Sequence, residues 1–246
     1  MAILVDKRIL ITGGAGGVGR AVAARMVEAG ARVLLTDRDE DKLVAVTRSL
    51  SERGQDRATS VTADLADAAG LGHLFAEVDR RLGGLDILVA CAGVGSGPLM
   101  DMDDAGWRYV IESNLVSYVA CTKQAIDRIR AARSGEGMII LVGSISVHIK
   151  AVGESVYNAA KGGVASFAET LRKELIPEGI RLTLIEPGAI GSAMQPYPPE
   201  ERQRQIAAQR MLPPDEVAEA ILFAATRPKG VDVVTLRIEP LDQKIY

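Results

Sequence analysis

Tyr157 and Lys161 stand four positions apart in Ser155-Val156-Tyr157-Asn158-Ala159-Ala160-Lys161, which opens a stretch of helical apolar spacing. On a helix they share one face. A phenol gives up its proton near pH ~10, and an ammonium held close favours the phenolate and lowers that value. Tyr157 is therefore a candidate general acid or base. Ser144 lies 13 residues upstream, behind the apolar run Met138–Gly143 that reads as a buried strand. A hydroxyl at that strand's carboxyl mouth can hold a carbonyl or alcohol oxygen while the tyrosine moves its proton. Alone, a Tyr-x-x-x-Lys pair is more often an exposed helix pair worth ~0.2–0.5 kcal/mol. The elements around it decide.

Those elements begin with the apolar run Lys7–Thr12, which stops at Gly13-Gly14-Ala15-Gly16-Gly17-Val18-Gly19 before a helix facing inward through Val18, Val22, Met26 and Ala29. Strand, glycine loop and helix in that order let backbone N–H groups approach a pyrophosphate at the positive end of the helix. The second strand, Arg32–Thr36, ends at Asp37. A carboxylate there accepts the hydrogen bond of a ribose 2′-hydroxyl and repels a 2′-phosphate, which favours NAD(H) over NADP(H). Arg38 keeps NADP(H) open, because a guanidinium beside the ribose can pair with a phosphate.

Farther along, a charged helix spans Asp39 to about Arg53, a third strand Ala58–Thr62 leads to Asp64, and a helix covers Asp67–Leu82. Leu85–Ala90 reads as the fourth strand, closed by Cys91-Ala92-Gly93, and Asp101 to Arg133 as mostly one long helix with Val110, Asn114, Tyr118, Val119, Ala125 and Ile129 on its inward face. An amide among apolar residues needs partners, so Asn114 is either a structural hydrogen-bonder or part of the site. After Ser144 the pattern predicts a loop to Ser155, the Tyr157 helix, a sixth strand at Ile180–Ile185, an irregular proline-bearing segment from Ala189 to Leu212, a helix from Pro213 to about Thr226 and a seventh strand at Val231–Leu236. Strands alternating with helices imply an α/β fold: a Rossmann-type, doubly wound parallel seven-stranded sheet with helices on both faces, in a single domain over 1–246. The segment at about 189–212 is a candidate lid.

The composition is that of an ordinary globular protein and not of a disordered one: 246 residues, 48% hydrophobic and 25% charged, with a net charge of −3 that offers no field for nucleic acid. Cys91 and Cys121 follow apolar residues, with no second thiol at metal-ligand spacing; they read as reduced thiols of a cytosolic protein, and no metal site is expected. No signal peptide and no membrane span are expected.

These motifs, in this order and spacing, resemble the single-domain short-chain dehydrogenase/reductases over nearly the whole chain from Lys7. Thr12-Gly13-Gly14-Ala15-Gly16-Gly17-Val18-Gly19 is similar to that family's nucleotide loop, Asp64-Leu65 to its adenine-contacting pair, Asn114, Ser144, Tyr157 and Lys161 to its catalytic four, and Pro187-Gly188 to the turn flanking the nicotinamide. The resemblance implies hydride exchange between a nicotinamide cofactor and a secondary alcohol or ketone. It assigns proton transfer to Tyr157, the hold on the substrate oxygen to Ser144, the nicotinamide ribose and a lowered tyrosine pKa to Lys161, and a water-linked relay to Asn114. It also implies cofactor contacts at Ala92, Gly93 and Ile190, and pairing of the Asn114 and Tyr157 helices with a second copy in a homodimer or homotetramer.

Two stretches depart from the family pattern. Ala90-Cys91-Ala92-Gly93 stands where Asn-Asn-Ala-Gly is usual, and the tail Thr235–Gln243 resembles the ending of a subgroup that oxidises small 3-hydroxy acids, typically with NADP. Candidate substrate contacts are Ser146, His148, Glu154, Met194 and Tyr197. Two other functions compete with the dehydrogenase reading: a catalytically silent dinucleotide-binding sensor or scaffold, and a redox-neutral epimerase or lyase on the same fold.

Overall fold

The computed structural model describes residues 3–52, 56–132 and 135–243. The helix ends expected at Arg53 and Arg133 lie outside those residues. Strands β1 (Arg8–Thr12), β2 (Arg32–Asp37), β3 (Ala58–Thr62), β4 (Ile87–Ala90), β5 (Gly137–Val142), β6 (Ile180–Pro187) and β7 (Thr235–Ile238) form one parallel seven-stranded sheet in the order β3-β2-β1-β4-β5-β6-β7. Both faces of β1, β2, β4, β5 and β6 are buried, which is why they read as apolar runs and not as alternation, while the edge strands β3 and β7 stay partly exposed. Ile9 and Ile11 join one core and Leu10 the other; Ile140 and Val142 divide from Ile139 and Leu141 in the same way.

On one face lie α1 (Gly17–Glu28), α2 (Glu40–Glu52) and α9 (Pro214–Ala225), which contribute Val22, Met26, Leu43, Val217 and Ile221 to the first core. On the other, α3 (Ala68–Leu82), α5 (Ser117–Ala132) and α7 (Ser155–Leu175) contribute Phe75, Val78, Ala125, Ile129, Val164 and Ala168. Each fully buried Leu, Ile or Val contributes ~1.5–3 kcal/mol, so the two layers fix the sheet between them. The strand order reverses between β1 and β4, and it is the carboxyl end of such a switch point that opens a crevice.

Five expectations need correction. The long helix is α4 (Asp104–Ile111) and α5 joined by a π-helical turn, Glu112–Val116, which carries Asn114. Val119 turns outward and is 39% exposed. The loop after Ser144 contains a one-turn helix, α6 (Ser146–Ile149), closed by Lys150 in the left-handed region at φ 50°. The segment from Ala189 to Leu212 holds α8 (Pro199–Ala207), a polar helix with no buried residue, opened by proline and by Glu200 and Glu201. The seventh strand starts four residues late. Arg181 takes the Val231 carbonyl and Arg172 the Asp232 carboxylate, and the bonding to β6 begins at the Val234 carbonyl, which accepts from the Leu184 N–H at 3.0 Å.

Candidate active site

Ser144 lies just past β5, with Gly143 N–H bonded to the Ile185 carbonyl at 2.7 Å and Ile145 N–H to the Pro187 carbonyl at 2.9 Å. This pins the turn to the end of β6. The Ser144 hydroxyl donates to Ser146 Oγ at 2.9 Å and accepts from the Ser146 N–H at 3.1 Å; Ser146 Oγ reaches Glu154 Oε2 at 3.4 Å. Tyr157 lies in the first turn of α7. Burial pushes its phenol above the ordinary value, the Ser144 hydroxyl pulls it back, and the Glu154 carboxylate adds to the rise.

Lys161 is 3% exposed. Its amine does not point at the Tyr157 hydroxyl. Nζ donates to Tyr118 Oη at 3.1 Å and to the Val142 carbonyl at 2.9 Å, and lies 5.9 Å from the Tyr157 ring centroid. Burial holds this amine down at about 7, only partly offset by Cys91. The lowering of the Tyr157 pKa expected from Lys161 is thus not realised in this arrangement, because the amine turns inward to neutral acceptors.

Asn114 is fully buried and satisfied. Its Nδ2 donates to the Val94 and Val110 carbonyls, both at 2.9 Å, and its Oδ1 accepts from the Val94 N–H at 3.3 Å. The π turn and the loop after β4 are locked together by one amide, and π turns are frequent at functional sites.

The glycine loop fits a dinucleotide. Gly13 has φ 68°, and a Cβ there would meet Ala92 at 2.8 Å; one at Gly19 would meet the Gly13 carbonyl at 2.2 Å. Gly16 caps α1 without a side-chain hydrogen bond, and the first turn, Gly17, Val18 and Gly19 included, carries no acid. The positive end of α1 is left to an anion. Asp37 accepts from the Ala15 N–H at 3.1 Å and the Asp39 N–H at 3.2 Å. Arg38 donates to Tyr109 Oη at 2.5 Å, and that hydroxyl donates to Asp64 Oδ2 at 3.3 Å; Leu65 packs beside the second core. Where the family's two amides are missing, the Thr12 hydroxyl accepts from the Cys91 and Ala92 N–H groups at 3.2 and 3.1 Å. Gly93 lies against Asn114 and near Lys161.

At the end of β6, Gly188 donates to the Ile238 carbonyl at 2.7 Å, and Ile190 forms a parallel bridge with Leu212 that closes the ends of the 189–212 excursion. The tail braces its base: the Ala189 N–H donates to Gln243 Oε1 at 2.9 Å, and the Asp242 N–H to the Gln209 carbonyl at 2.9 Å.

A family model described as short chain dehydrogenase matches residues 7–203. The chain belongs to the short-chain dehydrogenase/reductase family. A cis-4-hydroxycyclohexanecarboxylate dehydrogenase of Sinomonas cyclohexanicum is 35% identical over 227 residues, 90% of each chain. A solved dehydrogenase/reductase from Sinorhizobium meliloti superposes with a TM-score of 0.85 at 30% identity, covering 97% of this chain and 96% of that one. A variant of actinorhodin polyketide ketoreductase solved with NADPH gives a TM-score of 0.85 at 28% identity and 96% coverage of both chains. The protein is an oxidoreductase of this family.

Within this short-chain dehydrogenase/reductase, Ser144, Ser146, Glu154 and Tyr157 come together, while His148 turns aside to Glu186 Oε2 at 3.0 Å. Met194 and Tyr197 sit on the excursion, 50% and 44% exposed, and among the described residues no side-chain hydrogen bond ties them to Ser144. Three neighbours of the site were not singled out from sequence: Thr12 as an acceptor, Tyr109 beside Arg38, and Tyr118 beside Lys161. Tyr118 follows Asn114 by four residues and so shares its face, a signal that was available. Among the described residues, no helix is long and apolar enough to cross a membrane and no His, Cys, Asp and Glu cluster could hold a metal.

Proposed function

We propose that this oxidoreductase exchanges a hydride between a nicotinamide cofactor and a small-molecule secondary alcohol or ketone. The observation that carries this reading is the gathering of Ser144, Ser146, Glu154 and the first turn of α7, which holds Tyr157, at the carboxyl end of β5, with buried Lys161 one turn along α7. The bound nicotinamide supplies or accepts the hydride. Tyr157 gives a proton to the substrate oxygen during reduction or takes it during oxidation, and the Ser144 hydroxyl holds that oxygen. Lys161 serves the nicotinamide ribose and Tyr157; Asn114 holds the backbone through which a water-linked relay would pass. Gly13, Gly16, Gly17, Val18 and Gly19 cradle the pyrophosphate, Asp64 and Leu65 the adenine, and Ala92, Gly93, Pro187, Gly188 and Ile190 the nicotinamide half.

NAD(H) is the proposed cofactor. Asp37 keeps a carboxylate at the ribose position, and Arg38 is engaged by Tyr109. The NADPH in the actinorhodin ketoreductase supports the alternative, NADP(H). Ser146 and Glu154 border the substrate, and residues 189–212, with Met194 and Tyr197, close over it as a lid on one cytoplasmic domain. Exposed Val116 and Val119 on the Asn114 side support assembly with a second copy as a dimer or tetramer.

The test is a fluorescence titration with NADH and NADPH, followed by turnover at the nicotinamide absorbance with cyclic alcohols, polyols, 3-hydroxy acids and their ketones. Tighter NADH binding with turnover bears the reading out. Tight binding with no turnover across the panel would favour a sensor, and conversion without net change in the nucleotide an epimerase or lyase.

A further inference from the structure

Tyr118 is the largest fully buried side chain among the described residues, 1% exposed, and its hydroxyl does not end in the core. It donates to the Val142 carbonyl at 3.0 Å and accepts from Lys161 Nζ at 3.1 Å, while Nζ reaches that same carbonyl at 2.9 Å. The three groups close a triangle. The amine also lies 4.5 Å from the Tyr118 ring centroid, nearer than the 5.9 Å to the Tyr157 ring, which places it against an aromatic face that attracts a cation. The titratable groups facing Nζ are Tyr118 from α5, Tyr157 from its own helix and Cys91 from the turn after β4. Among the described residues no carboxylate pairs with it. Burial pushes the Tyr118 phenol well above its ordinary value and the Cys91 thiol up to about 12, so both stay neutral at physiological pH.

We infer that Tyr118 is a positioning residue that mounts Lys161, holding its amine at a fixed depth beside Tyr157 and supplying the acceptor that lets it carry a charge without a carboxylate. The inference rests on the proposed role of Lys161 in the preceding section. A buried ammonium needs its donors met, and of the two acceptors seen here the Val142 carbonyl is backbone and cannot be lost by substitution. Tyr118 is the acceptor that sequence controls. Removing its hydroxyl withdraws an acceptor that holds the charged form more strongly than the neutral one, so the amine loses its proton at lower pH.

The test is Tyr118→Phe, which keeps the ring, and leaves the Val142 carbonyl with its Lys161 donor. Selectively 13Cε-labelled lysine, with Lys161→Met assigning the signal, gives the Lys161 titration by NMR independently of any turnover. The expected result is a downward shift on the order of one pH unit in Tyr118→Phe. In turnover, kcat near pH 7 should fall several-fold more than the substrate KM changes. If Tyr118→Phe fails to fold, fluorotyrosine at position 118, a weaker acceptor on the same ring, should give a smaller shift of the same sign. An unchanged Lys161 titration in a folded variant would overturn the mount. A wild-type protein with no turnover would instead count against the proposed function, and the NMR result would still decide the mount.

Discussion

Asp37 accepts a hydrogen bond from the Ala15 N–H at 3.1 Å, joining the end of β2 to the middle of the glycine loop. Its other oxygen accepts from the Asp39 N–H at 3.2 Å, so the carboxylate is fixed by backbone on both sides. A fixed charge repels a 2′-phosphate more reliably than a mobile one, because it cannot swing aside. Arg38, the residue that would attract that phosphate, is exposed and engaged with Tyr109.

Replacing Asp37 with alanine should therefore change the choice of nucleotide. The affinity for NADH should fall about tenfold, a ΔΔG of ~1.4 kcal/mol, with NADPH gaining relative to it. Titrating both nucleotides into Asp37→Ala and wild type measures the ratio directly. An unchanged ratio would show that Asp37 only shapes the loop. If wild type already prefers NADPH, Arg38 outweighs Asp37.

Tyr157→Phe removes the proton-transferring hydroxyl and keeps the ring. Turnover should drop about 10²–10⁴-fold while nucleotide binding stays within a few-fold of wild type. Ser144→Ala should lose less, since Ser144 orients and does not transfer the proton in this scheme. Equal losses in KM and none in kcat would place both residues in binding alone.

The sheet was legible because its inner strands are buried on both faces and so appear as short apolar runs, Ile9–Ile11 and Met138–Val142 among them. The glycine loop and the Tyr157, Lys161, Ser144 and Asn114 set were legible because their chemistry depends on type and spacing. What was hidden had no local signal. α6 is one turn long, and α8 buries no residue, so neither carries an apolar stripe. The π turn adds a residue that helical periodicity does not reveal. The inward turn of Lys161 depends on Tyr118, 43 positions away, a contact that only the fold makes.

Burial is the main cause of the raised Tyr157 pKa, and Glu154 adds to it. Its carboxylate raises the Tyr157 pKa, so Glu154→Gln should lower it. Alcohol oxidation needs the phenolate, and its rising limb should move to lower pH. Ketone reduction needs the phenol, and its falling limb should move the same way. The pH profiles of both directions in Glu154→Gln check this. A shift toward higher pH would mean that Glu154 acts as an acceptor in the Ser146 chain more than as a charge.

Gly93 is where a single methyl group should disturb the site. A Cβ added there would lie 2.5 Å from Asn114 Oδ1 and 3.9 Å from Lys161 Nζ. Asn114 has no room to retreat, because both ends of its amide are bonded to the Val94 and Val110 backbone. Gly93→Ala should cost ~1–3 kcal/mol by overpacking, a fall of several degrees in Tm, and should weaken nucleotide binding as the loop lifts. Gly95→Ala, in the same loop with nothing within 4 Å of its added Cβ, is the control and should be near neutral. Thermal melts of the two variants, each with and without NADH, separate crowding at Asn114 from a general intolerance of the loop to alanine. Equal effects would remove Asn114 as the cause.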